Sequence, residues 1–513
     1  MPLGSLWDCK YLQKIYFLQQ FCKKFHYSSY LRVKSDRDMI TFLVCLALLV
    51  TAYFTYGRYL ERQVGVDASA QMPCRRLYDG VDYVPLASWR AFLVQLLNIA
   101  GTGPIFGAVL GACFGPVAFL WITFGGIFMG AMHDYISGMM LVRNDGLSIP
   151  EVVGRYLGGG MRQFMRLFSV LLLVLVGAVF LLSPAQLLAN MVPAISCPVW
   201  VWLILAYYFV ATLLPIDKII GRIYPLFGVA LVVMALGLLV AVLAGGYRIP
   251  ELTSLHNFQL DAARVPIVPT LFITIACGAI SGFHATQSPL MARCVGNERA
   301  CRSVFYGAML SESVIALIWA AVSMAFFGGA GELSAALGAH GNSAAWAVDT
   351  ISNGMLGVVG GILALLGVVA APITSGDTAF RSARLIIADM LHLEQRSKLK
   401  RFYICIPLFA VGYWITQVDF DVVWRYFAWT NQTLATIVLW AVVVFLHRRR
   451  ANRWVGLLPA IFMTFVCASF LFVSDQFLGM ENRTAAYVLG VAVTVALTAG
   501  MLLKLKHDAK SNS

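Results

Sequence analysis

Thirteen apolar runs, each close to the length an α-helix needs to cross a bilayer, follow one another along this chain. They lie at 40–57, 91–113, 116–141, 163–183, 199–215, 222–245, 267–290, 304–327, 352–376, 402–417, 423–446, 454–473 and 484–504. Roughly 20 residues span the hydrocarbon core, so the run at 402–417 is the weakest candidate for a full crossing. The remainder cannot compensate for so much apolar surface: 60% of the 513 residues are hydrophobic and 12% charged, where a soluble domain has about a quarter charged. The chain therefore reads as an all-α polytopic membrane protein with about 12–13 transmembrane helices. Eleven cysteines, odd in number and without a CxxC pair, point to small apolar residues within helices. No disulfide framework, metal or cofactor is expected.

The net charge of +13 suggests nucleic acid at first sight, but the basic residues sit between the apolar runs, where they orient a membrane protein. One set of loops carries Arg143, Arg155 and Arg162, then Lys218 and Arg222, Arg293, Arg299 and Arg302, Arg396 and Lys398, Arg448 and Arg453, and finally Lys504, Lys506 and Lys510. The opposite stretches 184–198 and 328–351 have no Lys or Arg. This asymmetry predicts a cytoplasmic C-terminus. The expected partners are the lipid bilayer and a small-molecule substrate.

The segment 58–90 also falls on the basic side, with Arg58, Arg62, Arg75, Arg76 and Arg90. A crossing at 40–57 then places residues 1–39 outside, although seven of them are Lys or Arg. Either the first helix lies on the membrane or translation starts at Met39. The later start is favoured, which makes 1–39 an extension outside the native protein. No signal-peptide cleavage pattern stands out.

Two spans are interrupted. In the first, Asn98-Ile-Ala-Gly101-Thr102-Gly103-Pro104, paired glycines and a proline weaken the helix. In lipid such a break belongs where it lines a cavity, unless the glycines form a close packing face. The second, Cys277-Gly278-Ala-Ile-Ser281-Gly282-Phe-His284, comes five spans later. That spacing matches transporters built from inverted repeats, which bind substrate at broken helices near the bilayer midplane. A third feature, Pro372-Ile-Thr374-Ser375-Gly-Asp377, offers adjacent hydroxyls. They complete an oxygen cage for a small cation, or bond back to their own helix.

Ionisable groups inside spans are costly and need a reason. His133 and Asp134 stand near one end of 116–141, Glu312 two turns into 304–327, and Asp377, Arg381 and Arg384 close 352–376. A wet vestibule or proton relay explains them, and so do helix-end ion pairs and snorkelling. There is no Walker loop, HExxH, GxSxG or dinucleotide fingerprint, so an ATP-driven pump or an enzyme is not expected.

Six ordered blocks, among them NIAGTGPIFGAVLGACFG (98–115), GGIFMGAMHDYISGMMLVRNDGLSIPEVVGRYLG (125–158), FITIACGAISGFHATQSPLMARCVGNE (272–298) and APITSGDTAFRSARLIIAD (371–389), resemble the carbon starvation protein A (CstA) family. The resemblance implies a bacterial carrier, induced in some members by nutrient limitation and linked to peptide or pyruvate uptake. It also implies the amino-acid–polyamine–cation (APC) superfamily and a LeuT-like core, whose first and sixth helices break and whose eighth supplies hydroxyls to a sodium site. This chain is similar to the shorter members.

Residues 91–245 are then the first five-helix repeat and 267–417 the second, with additional helices over 423–504 and a tail at 505–513. The expected function is a symporter driven by H+ or Na+, importing pyruvate or a related small carboxylate, with peptide uptake as the alternative. A passive channel or a starvation sensor is the contrasting reading. Gly101, Thr102, Gly103, Gly278, Ser281, Gly282 and His284 are assigned to substrate. Ile99, Thr374 and Ser375 are assigned to a cation, and His133, Asp134, Glu312 and Asp377 to proton coupling.

Overall fold

Among the described residues, every one of the thirteen apolar runs contains helix, because a chain in lipid has to satisfy its backbone hydrogen bonds within itself. The structure, a computed structural model, describes residues 39–80, 82–213, 224–393 and 398–511. Residues 1–38, Lys218, Arg222 and Arg396 lie outside the described residues.

In chain order the helices are α1 (Ile40–Phe54), α2 (Tyr56–Val64), α3 (Ser88–Ile99), α4 (Gly103–Ala112), α5 (Val117–Val142), α6 (Gly159–Met191), α7 (Cys197–Leu213) and α8 (Tyr224–Ala244). They continue with α9 (Ile267–Thr274), α10 (Gly282–Ala292), α11 (Arg302–Phe327), α12 (Ala344–Leu363), α13 (Ala370–Met390), α14 (Lys398–Ile415), α15 (Phe420–Arg448), α16 (Trp454–Val473) and α17 (Arg483–Ser511).

Among the described residues, nine helices are long and apolar enough to cross a membrane, or ten with the bent pair α3–α4. The other three runs are the short α7, the interrupted α9–α10 and α14, whose 18 residues reach about 27 Å at 1.5 Å per residue.

The basic loops gather at one end of the bundle. Arg448 donates to the Arg155 carbonyl at 3.2 Å, Lys504 to the Leu157 carbonyl at 2.8 Å, and Arg143 pairs with Glu298 at 2.9 Å. At the other end Arg483 reaches the Arg264 carbonyl at 3.5 Å. The first helix crosses between these ends and does not lie flat. Thr41, at its start, bonds Glu251, while the Gly65 carbonyl, just past its end, accepts from Arg143 at 2.7 Å.

The two interrupted helices run in opposite directions. α3 starts at the basic end, where Leu86 N donates to the Cys294 carbonyl at 2.9 Å, and α10 finishes there. This antiparallel relation is what an inverted repeat requires. Counting five spans from Ile267 carries the second set through α15 to Arg448, beyond the expected limit at 417.

The eighth core span also differs from its expected bounds of 352–376. Gly357 has φ 59° and ψ −142°, which ends the preceding helical stretch, and the crossing segment runs from Val359 to Met390. Asp377, Arg381 and Arg384 are therefore buried inside the span and do not close it. The helix continues through them because Arg381 finds Asp377 one turn away at 3.5 Å and the Ala211 carbonyl at 3.1 Å.

Three stretches wind as wider π-turns: Trp121–Ala131, Arg302–Gly307 and Ala364–Val369. Each ends within two turns of a polar residue singled out above (Asp134, Glu312 and Thr374). Such turns are frequent at functional sites.

Candidate functional site at the two helix breaks

The first break bends the chain by 50° between α3 and α4. Gly103 is there because the second break presses against it: a Cβ on Gly103 would lie 2.5 Å from the Cys277 Cβ. Gly101 faces the Phe180 ring and Gly278 faces Ala316, where an added Cβ would lie 2.5 Å from the alanine Cβ. The glycines expected around substrate thus permit close approach between helices, the packing alternative raised above. Thr102 is buried with its hydroxyl 3.5 Å from Ser183 Oγ.

At the second break, the backbone groups freed between Thr274 and Gly282 are met by side chains from neighbouring helices. Trp121 Nε1 donates to the Ile275 carbonyl at 3.0 Å, and Gln432 Nε2 to the Phe272 carbonyl at 2.9 Å. Asn431 Oδ1 accepts from Ser281 Oγ at 3.1 Å and from Phe283 N at 2.7 Å. The start of α10 is therefore capped by α15, and Ser281 is held by that cap.

Beside this break lies a chain of four fully buried ionisable groups. His133 Nδ1 is 2.7 Å from Asp134 Oδ1, and His284 Nδ1 is 2.8 Å from Asp134 Oδ2. On its other side, His284 Nε2 is 3.2 Å from Glu312 Oε2. An ionised carboxylate only accepts, so both histidines donate through Nδ1 to Asp134. His284 Nε2 and the Glu312 oxygen then face each other as two acceptors unless a proton lies between them. Neither Glu312 oxygen makes another hydrogen bond among the described residues. His284, assigned above to substrate, links Asp134 to Glu312 in this chain. No wet vestibule reaches it, since all four side chains have 0% exposure.

Cys277 Sγ, a His284 nitrogen and a Glu312 oxygen lie within 4.8 Å of one another. A structural zinc takes four protein donors, and Asp134, the next carboxylate along, is committed to the two histidines. The arrangement suits one shared proton.

Two cavities flank the break. The larger, about 470 Å3, opens at the end away from the basic loops and has Ile273, Thr274 and Trp424 among its lining. Asp261, Arg264, Asp421, Arg425 and Asp475 also line it. The smaller, about 150 Å3, lies toward the basic end between Thr286, Pro289 and Leu290 of α10 and Ser382 and Ile386 of α13. The buried chain sits on the stretch between them, separated from both.

The hydroxyl pair divides. Ser375 Oγ donates across to the Leu97 carbonyl at 3.0 Å, in the last turn of α3, while Thr374 Oγ1 bonds back to Ala371 at 2.8 Å. The carbonyl reached is that of Leu97, two residues before Ile99, the residue assigned to the cation. Asp377 pairs with Arg381 in α13, away from the histidine chain. Asn431, Gln432 and Cys277 were absent from the sequence-derived set. Two adjacent amides in an apolar run are the available signal for the first two, and for Cys277 the signal is its place at the start of the second break.

The family described as "Carbon starvation protein CstA" matches residues 37–197 and 186–361. The chain is 42% identical over 340 residues to an uncharacterized membrane protein of Haemophilus influenzae, covering 56% of this chain and 91% of that one. It is 26% identical over 551 residues to the Escherichia coli "Peptide transporter CstA", covering 82% of this chain and 78% of the relative. It is 26% identical over 336 residues to the Escherichia coli "Pyruvate/proton symporter BtsT", covering 53% and 47%. Among solved structures, MhsT in complex with L-phenylalanine superposes with a TM-score of 0.52 at 12% identity, covering 81% of this chain and 98% of that one. The fold is that of the LeuT-like transporters.

Proposed function

The chain belongs to the carbon starvation protein CstA family, and on that premise we propose that it is a proton-coupled symporter importing pyruvate or a related small carboxylate. The observation that carries this reading is the buried Asp134–His284–Glu312 chain, held at the second helix break between two cavities. A carboxylate and an imidazole facing each other in lipid need a proton between them. Gain or loss of that proton changes the charge beside the break, and with it the cost of holding the break occluded. The cavity at the end away from the basic loops is where substrate enters, and the smaller one toward the basic end is on its way out to the cytoplasm.

The test is uptake into proteoliposomes. An imposed inside-alkaline gradient should drive pyruvate accumulation, each substrate entry should alkalinise the external medium, and uptake should fall as external pH rises. Accumulation with no substrate-linked proton movement would remove the proton from the mechanism. A sodium requirement in its place would shift coupling to Ser375 and the end of α3. In that case Thr374→Val with Ser375→Ala abolishes the sodium dependence, and unchanged dependence rejects that site.

A second substrate reading, short peptides, is favoured by the larger cavity. About 470 Å3 lined by both carboxylates and arginines suits a zwitterion larger than pyruvate. Dipeptides competing with pyruvate uptake in the same vesicles would support it.

A further inference from the structure

A groove at the basic end stands apart from the transport path. It measures about 610 Å3 and is lined by Arg58 and Arg62 of α2, Arg299 and Arg302 beside α11, and Glu61. Glu61 is paired with Arg302 at 3.0 Å, and the Arg302 guanidinium also stacks over the Tyr53 ring at 5.0 Å. Arg58, Arg62 and Arg299 have no carboxylate partner among the described residues. The groove therefore has one carboxylate for four guanidinium groups.

Its position indicates the ligand. α1 presents Leu43, Val44, Val50 and Phe54 outward, so most of its perimeter faces lipid. The apolar surface gives way at Tyr53, Tyr56 and Tyr59, with Tyr56 stacked on Tyr59 at 5.9 Å and edge-on to Phe128 at 5.1 Å. Aromatic side chains in this pattern mark the headgroup level of a bilayer, and the arginines follow within two turns. We propose that this groove binds the headgroup of a phospholipid carrying two phosphates, its acyl chains lying along α1. Three uncompensated guanidinium groups match two phosphodiester charges better than one, and a guanidinium fork engages phosphate oxygens in pairs. A soluble diphosphate shares this chemistry but lacks chains to lie on the apolar face of α1.

The experiment uses the full-length protein in nanodiscs of phosphatidylcholine, with tetraoleoyl cardiolipin titrated in and bound lipid read by native mass spectrometry. Wild type should retain cardiolipin and show a raised thermal midpoint. The variant Arg58→Gln/Arg62→Gln/Arg299→Gln should bind on the order of 100-fold more weakly, at roughly fivefold per arginine. In phosphatidylcholine alone the triple variant should melt at the wild-type midpoint, which excludes misfolding as the cause, and Arg58→Lys, which keeps the charge but loses the fork, should bind at a strength between the two. Equal retention by wild type and triple variant would overturn the proposal. So would inorganic pyrophosphate displacing cardiolipin or reproducing the thermal shift, because the acyl chains would then contribute nothing.

Discussion

Glu312→Gln is expected to leave the protein folded and to abolish proton-driven accumulation. The amide has the shape of the carboxyl but cannot release a proton, and its NH2 can donate to His284 Nε2 across the present 3.2 Å gap. The acceptor-to-acceptor conflict disappears, so the local structure tightens. In wild type, an inside-alkaline gradient of one pH unit sustains up to about tenfold accumulation of a substrate moving with one proton, since one unit is worth about 1.4 kcal/mol. The variant should stop at equal concentrations inside and out under the same gradient, while still exchanging labelled for unlabelled substrate. Accumulation equal to wild type would show that the coupling proton is carried elsewhere. Asp134→Asn provides the contrast: its amide keeps a single acceptor oxygen where His133 and His284 each face a different oxygen of Asp134, so folding and exchange should suffer together.

Gly282→Ala should cost the protein its fold. The added Cβ would lie 2.6 Å from the Ala435 backbone nitrogen, and closer still to the Asn431 carbonyl. Both are backbone atoms of α15 and cannot rotate away. Overpacking typically costs 1–3 kcal/mol, and with rigid neighbours the upper end of about 3 kcal/mol applies. The measurement is the melting midpoint and the size-exclusion profile in detergent. Gly160→Ala serves as the control, because a Cβ there meets nothing within 4 Å. An unchanged midpoint for Gly282→Ala would mean that α10 and α15 do not approach as described.

The helices were legible because lipid makes a single demand, about 20 apolar residues per crossing, and among the described residues nine helices meet it outright, ten with the bent pair. The basic loops show which helix ends share a side, and Arg143, Arg155 and Arg448 do meet at one end. Both breaks were legible, the first from glycine and proline at 101–104 and the second from glycine at 278 and 282. The partnership between distant residues was not. Nothing local at Asp134, His284 or Glu312 says that they touch, since 150 residues separate the first two. The limit of 376 for the eighth core span failed for a related reason. Hydropathy falls at Asp377 and Arg381, but a buried pair one turn apart lets the helix continue. The role of the glycines remained open until their neighbours were known, because a break and a close approach use the same residue.

The bonds from α15 to both halves of the interrupted helix have a mechanical consequence. Gln432 holds the last turn of α9 through the Phe272 carbonyl, and Asn431, the adjacent residue, holds the first turn of α10. The two halves are thus pinned to one rigid rod at neighbouring points. Neither half can tilt alone without breaking one of these hydrogen bonds. The two halves of the interrupted helix are thus geared together through α15.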